Sequence, residues 1–112
     1  MKLPNAAKAI VEREKIEDYL LNPAHPDNGA KAEFFEKLGY LRAEWEVLAA
    51  ALRTLVLTSE IKRFVESPHG RKYVMVGLVE SPNGKAARVQ TIWIVDRGLD
   101  VARLVTAYPH SD

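Results

Sequence analysis

From residue 60 onward the chain alternates between runs rich in β-branched and aromatic residues and short turns that carry glycine. The runs cover residues 60–66, 72–79, 88–95 and 103–108. Between them lie Ser67-Pro68-His69-Gly70, Ser81-Pro82-Asn83-Gly84 and Asp96-Arg97-Gly98. Turns this short can only join antiparallel neighbours, because a parallel pair needs a crossover of a dozen or more residues. The second half of the chain is therefore expected to be a four-stranded antiparallel meander. The third run, with Val89, Ile92, Trp93, Ile94 and Val95, is the most apolar and is placed centrally.

The first half has helical spacing instead. Residues 12–21 place Ile16, Tyr19 and Leu20 at i, i+3 and i+4, after a short extended entry at 8–11. Asn22-Pro23 stops this helix, since proline disfavours helical geometry in the residue before it. A second helix over 29–38 is capped by Asp27 or Asn28, buries Phe34, Phe35 and Leu38, and ends at Gly39. A third, over 42–57, carries a stripe of Trp45, Leu48, Ala49, Leu52, Leu55 and Val56. Helices followed by strands make an α+β fold: about three N-terminal helices packed on one face of the meander, in a single domain over residues 1–112. Trp45, Leu48, Leu52, Ile92 and Ile94 are expected to share one core. The opposite sheet face is left for a site.

Composition narrows the function classes. A net charge of +1 in 112 residues does not announce a nucleic-acid binder, so any such role needs a local patch. The absence of cysteine excludes disulfides and thiolate metal sites. Met1-Lys2 is followed by Leu-Pro-Asn rather than an apolar run, and the longest nearly apolar stretch, 45–57, is too short to span a bilayer. A cytoplasmic protein with no membrane segment is expected. Three scattered histidines show no metal-ligand spacing, so neither a metal nor a cofactor is expected.

The loop Ala24-His25-Pro26-Asp27 and the helix start at Gly29 and Lys31 hold the most suggestive chemistry. An imidazole, the partnerless N–H groups of a helix N-terminus and an ammonium could surround one anion. His25 is a candidate for acid–base work because histidine as a residue type commonly serves as general acid and base. Lys31 sits where the helix dipole would favour an acid, a small local conflict of the kind found at sites. The bland alternatives are a histidine that holds its turn and a solvated lysine. Thr91, Thr106 and Tyr108 place hydroxyls on the last two strands, and Arg88 could contact a phosphate. Threonine and tyrosine are also ordinary strand residues. His69 and His110 are weaker candidates, in a turn and near the C-terminus.

Leu-Pro-Asn-Ala at 3–6, Tyr-Leu-Leu-Asn-Pro-Ala-His-Pro at 19–26, Gly-Ala-Lys-Ala-Glu-Phe-Phe at 29–35, Leu-Gly at 38–39, Gly70 with Tyr73, Thr91-Ile92-Trp93 and Leu-Val-Thr-Ala-Tyr-Pro at 104–109 carry a resemblance. Together they resemble a bacterial family of unknown function whose members occur as small stand-alone proteins and as C-terminal domains of contact-dependent polymorphic toxins. That setting, with helices ahead of an antiparallel sheet, is similar to the small metal-independent RNases typified by barnase and RelE. The resemblance implies a toxin-type effector with ribonuclease-like activity. His25, Lys31, Thr106 and Tyr108 would be the catalytic group, and Gly29, Arg88 and Thr91 would bind substrate. RNA and a cognate antitoxin or immunity protein would be its partners. The alternative is a non-catalytic protein-interaction module, either one half of a toxin–antitoxin-like pair or a scaffold.

Overall fold

The computed structural model describes residues 2–25 and 29–110. Among the described residues a 3-10 turn at Ala6–Lys8 leads to α1 at Arg13–Lys15, which continues as a π-helical turn at Ile16–Leu20. Helix α2 spans Gly29–Lys37, and a 3-10 turn at Arg42–Glu44 opens α3 at Trp45–Thr58. The strands are β1 (Ile61–Ser67), β2 (Gly70–Glu80), β3 (Ala86–Asp96) and β4 (Arg103–Pro109). They form a sheet in the order β1-β2-β3-β4 with every neighbour antiparallel. This is the α+β meander expected from the turns. The cap expected at Asp27 or Asn28 lies outside the described residues.

The first helix differs from the regular one expected over 12–21. The Leu21 N–H bonds to the Ile16 carbonyl at 2.8 Å, an i to i+5 closure that widens the turn. Ile16 and Leu20 are both fully buried while Tyr19 stays half-exposed. Just before it, Ile10 lies alongside the start of β4 as a one-residue parallel bridge to Arg103. The Ile10 N–H bonds to the Ala102 carbonyl at 2.8 Å and the Leu104 N–H to the Ile10 carbonyl at 2.9 Å. The extended entry therefore ties the N-terminal segment to the last strand.

One sheet face meets the helices. Tyr73, Met75 and Val79 of β2, Val89 and Trp93 of β3, and Leu104 and Ala107 of β4 join Ile16, Leu20, Phe35, Leu48, Leu52 and Leu55 in one core. Gly77 lets α3 approach: a Cβ there would meet Ser59 Oγ at 2.2 Å and Leu55 Cγ at 3.0 Å. The core expected around Ile92 and Ile94 is corrected here. Strand alternation sends both to the opposite face, and Trp93 between them is the fully buried residue. Run 89–95 is apolar on both faces, so its composition does not encode its parity. Trp45 is only half-buried against the core, whereas Leu48 and Leu52 lie within it as expected.

A bulge sets the parity of β4. Ile92 pairs with Thr106 but Trp93 pairs with Leu104, which leaves one extra residue on β4. Leu104 and Ala107 thus both reach the core, while Thr106 and Tyr108 face the other way beside Ile92 and Gln90. The β2–β3 turn braces α2. The Asn83 side chain donates to the Lys37 carbonyl at 2.9 Å and its N–H to the Leu38 carbonyl at 3.1 Å, satisfying carbonyls that end the helix.

Candidate functional site

Helix α2 and the π-helical turn lie along edge strand β4, and there their polar side chains converge. Lys31 projects from the first turns of α2. Its Nζ donates to Tyr19 Oη at 2.8 Å and to Thr106 Oγ1 at 3.0 Å. The same ammonium lies 5.1 Å from the Tyr19 ring centroid and 5.6 Å from that of Tyr108. One cation is therefore held by two hydroxyls beside the Tyr108 ring, whose quadrupole attracts positive charge. Thr106 Oγ1 also lies 3.5 Å from Tyr19 Oη, which closes the cluster.

His25 stands edge-on to Tyr19, with ring centroids 5.0 Å apart at 86°. Both His25 and Lys31 therefore touch the same tyrosine. Lys15 sits over the Tyr19 ring as well, at 5.3 Å. On the His25 side, Tyr19 and His25 line a shallow cleft with Lys15, Glu12, Glu14 and Asp18. The Tyr19 phenol is pulled below its ordinary pKa, mainly because the Lys31 ammonium donates to its oxygen and secondly because Thr106 does.

On the other side the network continues along the sheet. Gln90 Nε2 donates to Tyr108 Oη, and His110 Nδ1 lies 3.2 Å from Gln90 Oε1. The His110 N–H is bonded to the Arg88 carbonyl at 3.1 Å. His110, a weaker candidate near the C-terminus, is half-buried and joined to the cluster through Gln90.

Of the residues singled out in the sequence, His25, Lys31, Thr106 and Tyr108 come together here. Gly29 opens α2, two residues before Lys31. Arg88 is exposed on β3, two residues from Gln90 and on the same face. Thr91 is a correction. It is wholly buried, donates to the Met75 carbonyl at 3.2 Å and accepts the Trp93 indole N–H at 2.8 Å. It anchors the core tryptophan and has no access to a ligand, because alternation turns it away from Thr106. His69 stays in its turn, its carbonyl accepting the Arg97 N–H at 2.9 Å. Sequence reasoning missed Tyr19 and Gln90. Tyr19 was absorbed into an apolar stripe, although its position six residues before His25 brought a second titratable ring near the loop. No three His, Cys, Asp or Glu side chains gather as a metal site among the described residues.

The comparisons with known proteins bear on the whole chain. A family model described as a domain of unknown function, DUF6883, matches residues 2–111. No curated protein matches. Among solved structures, a chain of a contact-dependent growth inhibition toxin–immunity protein complex from Klebsiella pneumoniae 342 has the same fold. Its TM-score is 0.76 at 19% identity, over 96% of this chain and 97% of that one.

Proposed function

The chain belongs to the DUF6883 family, and from that premise we propose that it is a toxin-type effector that cleaves RNA in the cytoplasm. The observation that carries this reading is the clasp of Lys31 by Tyr19 and Thr106 on the half-exposed edge of β4, with His25 and Tyr108 against it. The fold it shares with a chain of a toxin–immunity complex supports the effector setting.

The mechanism follows from the side chains. His25 takes the proton of a ribose 2′-OH, and the 2′-oxygen attacks the adjacent phosphorus. Lys31, oriented by Thr106, stabilises the charge that builds on the phosphoryl oxygens. The P–O5′ bond breaks as the 5′-oxygen takes the proton of the Tyr19 hydroxyl. The products are a 2′,3′-cyclic phosphate and a 5′-hydroxyl end, and solvent returns the proton from His25 to Tyr19. The lowered phenol pKa makes Tyr19 a stronger acid, because Lys31 and Thr106 both donate to the phenolate that forms. Tyr108 offers a ring on which a base can stack. Gly29 at the helix start and Arg88 on the sheet flank the phosphate path.

The test is cleavage of RNA by purified wild type and by Lys31→Ala, with folding checked by circular dichroism. Removing one preorganised charge-stabilising donor should slow cleavage by about 10²–10³-fold. Equal rates would remove Lys31 from the mechanism, and no cleavage by wild type across varied RNAs would sink the enzyme reading.

A second reading has its own support. Strand β1 is exposed along its length, with Phe64 and Val65 more than half-exposed. A non-catalytic interaction module would dock a cognate immunity protein or antitoxin on such an edge, as strand addition does elsewhere. Retained partner binding in a chain that never cuts RNA would favour it.

A further inference from the structure

The near-neutral total conceals a sorting of charge along the chain. Residues 1–60 carry eight Lys or Arg against ten Asp or Glu, and residues 61–112 carry eight against five. The strands, not the helices, hold the excess of bases.

Register shows where those bases point. On the sheet face turned away from the helices, Val65, Lys72, Ile94 and Arg103 form one row. Arg63, Val74, Ile92 and Thr106 form the next, then Val76, Gln90 and Tyr108, then Leu78 and Arg88. Four cations lie on this face. The acids that share it are Asp96, which is bonded to Arg103 at 2.8 Å, and Glu80 at the far end of β2. Arg63 and Lys72 are exposed, and neither has an ion pair among the described residues. Between the cations the surface is aliphatic. Val76 and Ile92 are half-buried and Leu78 is 62% exposed.

We infer that this open sheet face is a docking surface for single-stranded RNA, which crosses the strands from Arg63 and Lys72 on β1 and β2 to the Lys31–Thr106 clasp at β4. The inference rests on the RNA-cleaving reading above and names the part of the substrate that leads away from the scissile bond. Thr106 shares the row of Arg63, three strand spacings away, or about 14 Å. A chain of several nucleotides can therefore touch both ends at once. A polyanion crossing here meets the exposed Arg63 and Lys72, finds a stacking ring at Tyr108, and lays its bases over the half-buried Val76 and Ile92. A folded acidic protein could exploit the same charge. The aromatic ring and the polar Gln90 inside the apolar strip favour bases.

The test measures binding apart from cleavage. The probe is a labelled single-stranded 2′-O-methyl RNA of mixed sequence, whose blocked hydroxyls cannot attack. Wild type is compared by fluorescence anisotropy with Arg63→Glu/Lys72→Glu, with the milder Arg63→Gln/Lys72→Gln, and with Arg53→Glu, an exposed position on α3 that controls for net charge. The glutamate pair should weaken binding at least tenfold and the glutamine pair by less, with Arg53→Glu near wild type. Losing two phosphate contacts should also lower the slope of log affinity against log salt by about 1.4 for a single strand. Unchanged affinity and slope in both double variants, with thermal melts matching wild type, would overturn the inference. So would capture of an acidic polypeptide such as polyglutamate by wild type alone, with RNA affinity unmoved. Salt-dependent RNA binding through Arg63 and Lys72 in a chain that cuts no RNA would leave this surface standing while the catalytic reading fails. Cleavage with unshifted binding would do the reverse.

Discussion

Lys31 Nζ donates to Thr106 Oγ1 at 3.0 Å across 75 residues of sequence. The pair joins the start of α2 to the bulged half of β4, and it holds the ammonium beside Tyr19. Without Thr106 the lysine keeps one of its two hydroxyl partners.

Thr106→Val should therefore leave the fold intact and lower RNA cleavage by roughly tenfold, less than the 10²–10³-fold loss of a direct charge-stabilising donor. Valine fills the same shape but accepts no hydrogen bond. Single-turnover rates with saturating RNA will show whether the loss sits in chemistry. A rate equal to wild type would leave Thr106 as a strand residue only.

His25→Ala should cost about 10²–10⁴-fold, the usual range for a general acid or base. His110→Ala should cost far less, since His110 reaches the cluster only through Gln90. Comparing both variants under one assay separates the two histidines; similar losses would refute the assignment.

Tyr19 should ionise below the ordinary phenol value, because Lys31 and then Thr106 donate to its oxygen. Lys31→Met should move that titration upward, toward the ordinary phenol value. Tyr40 gives an internal contrast, since burial pushes its pKa up. Ring-labelled tyrosine followed by NMR across the alkaline range will read both. A Tyr19 midpoint insensitive to Lys31 would break the proposed link.

Gly77→Ala should destabilise the fold by about 1–3 kcal/mol, the usual cost of overpacking. Its new methyl would collide with Ser59 and Leu55 at the end of α3. Thermal melting checks this, and an unchanged midpoint would mean that α3 can shift away cheaply.

The Arg103 guanidinium holds the Asp96 carboxyl below its ordinary pKa through a direct hydrogen bond. A depressed carboxyl stabilises the fold above its unfolded pKa, near about 3.9, and loses that contribution as pH falls through the folded value. Asp96→Asn should flatten the acid limb of the stability profile in that window and leave the alkaline limb unchanged. Urea midpoints measured from neutrality down to about pH 2 will show it.

Some of this was written openly in the chain. Asn83-Gly84 and the other short turns dictated antiparallel neighbours, and Pro23 and Gly39 marked helix ends, because backbone sterics act locally. Which face each strand residue takes was not legible. Thr91 and Thr106 look alike in sequence, yet a single bulge in β4 and the burial of Trp93 put one in the core and the other on the open face. Tyr19 was hidden for a related reason. Its spacing from Ile16 matched a core stripe, and only the widened π-helical turn leaves its hydroxyl at the edge of β4.

The meander can zip from turn to turn, each strand pairing with the one just made. The Ile10–Arg103 bridge and the Lys31–Thr106 clasp cannot form that way. Each must close a long loop, at an entropic cost that grows with the logarithm of its length. The candidate site thus rests on contacts distant in sequence, whereas the hairpins rest on local ones. Its geometry is completed only when the N-terminal segment settles against β4. Hydrogen exchange at the Leu104 amide, which bonds to Ile10, should report that docking step separately from the hairpins.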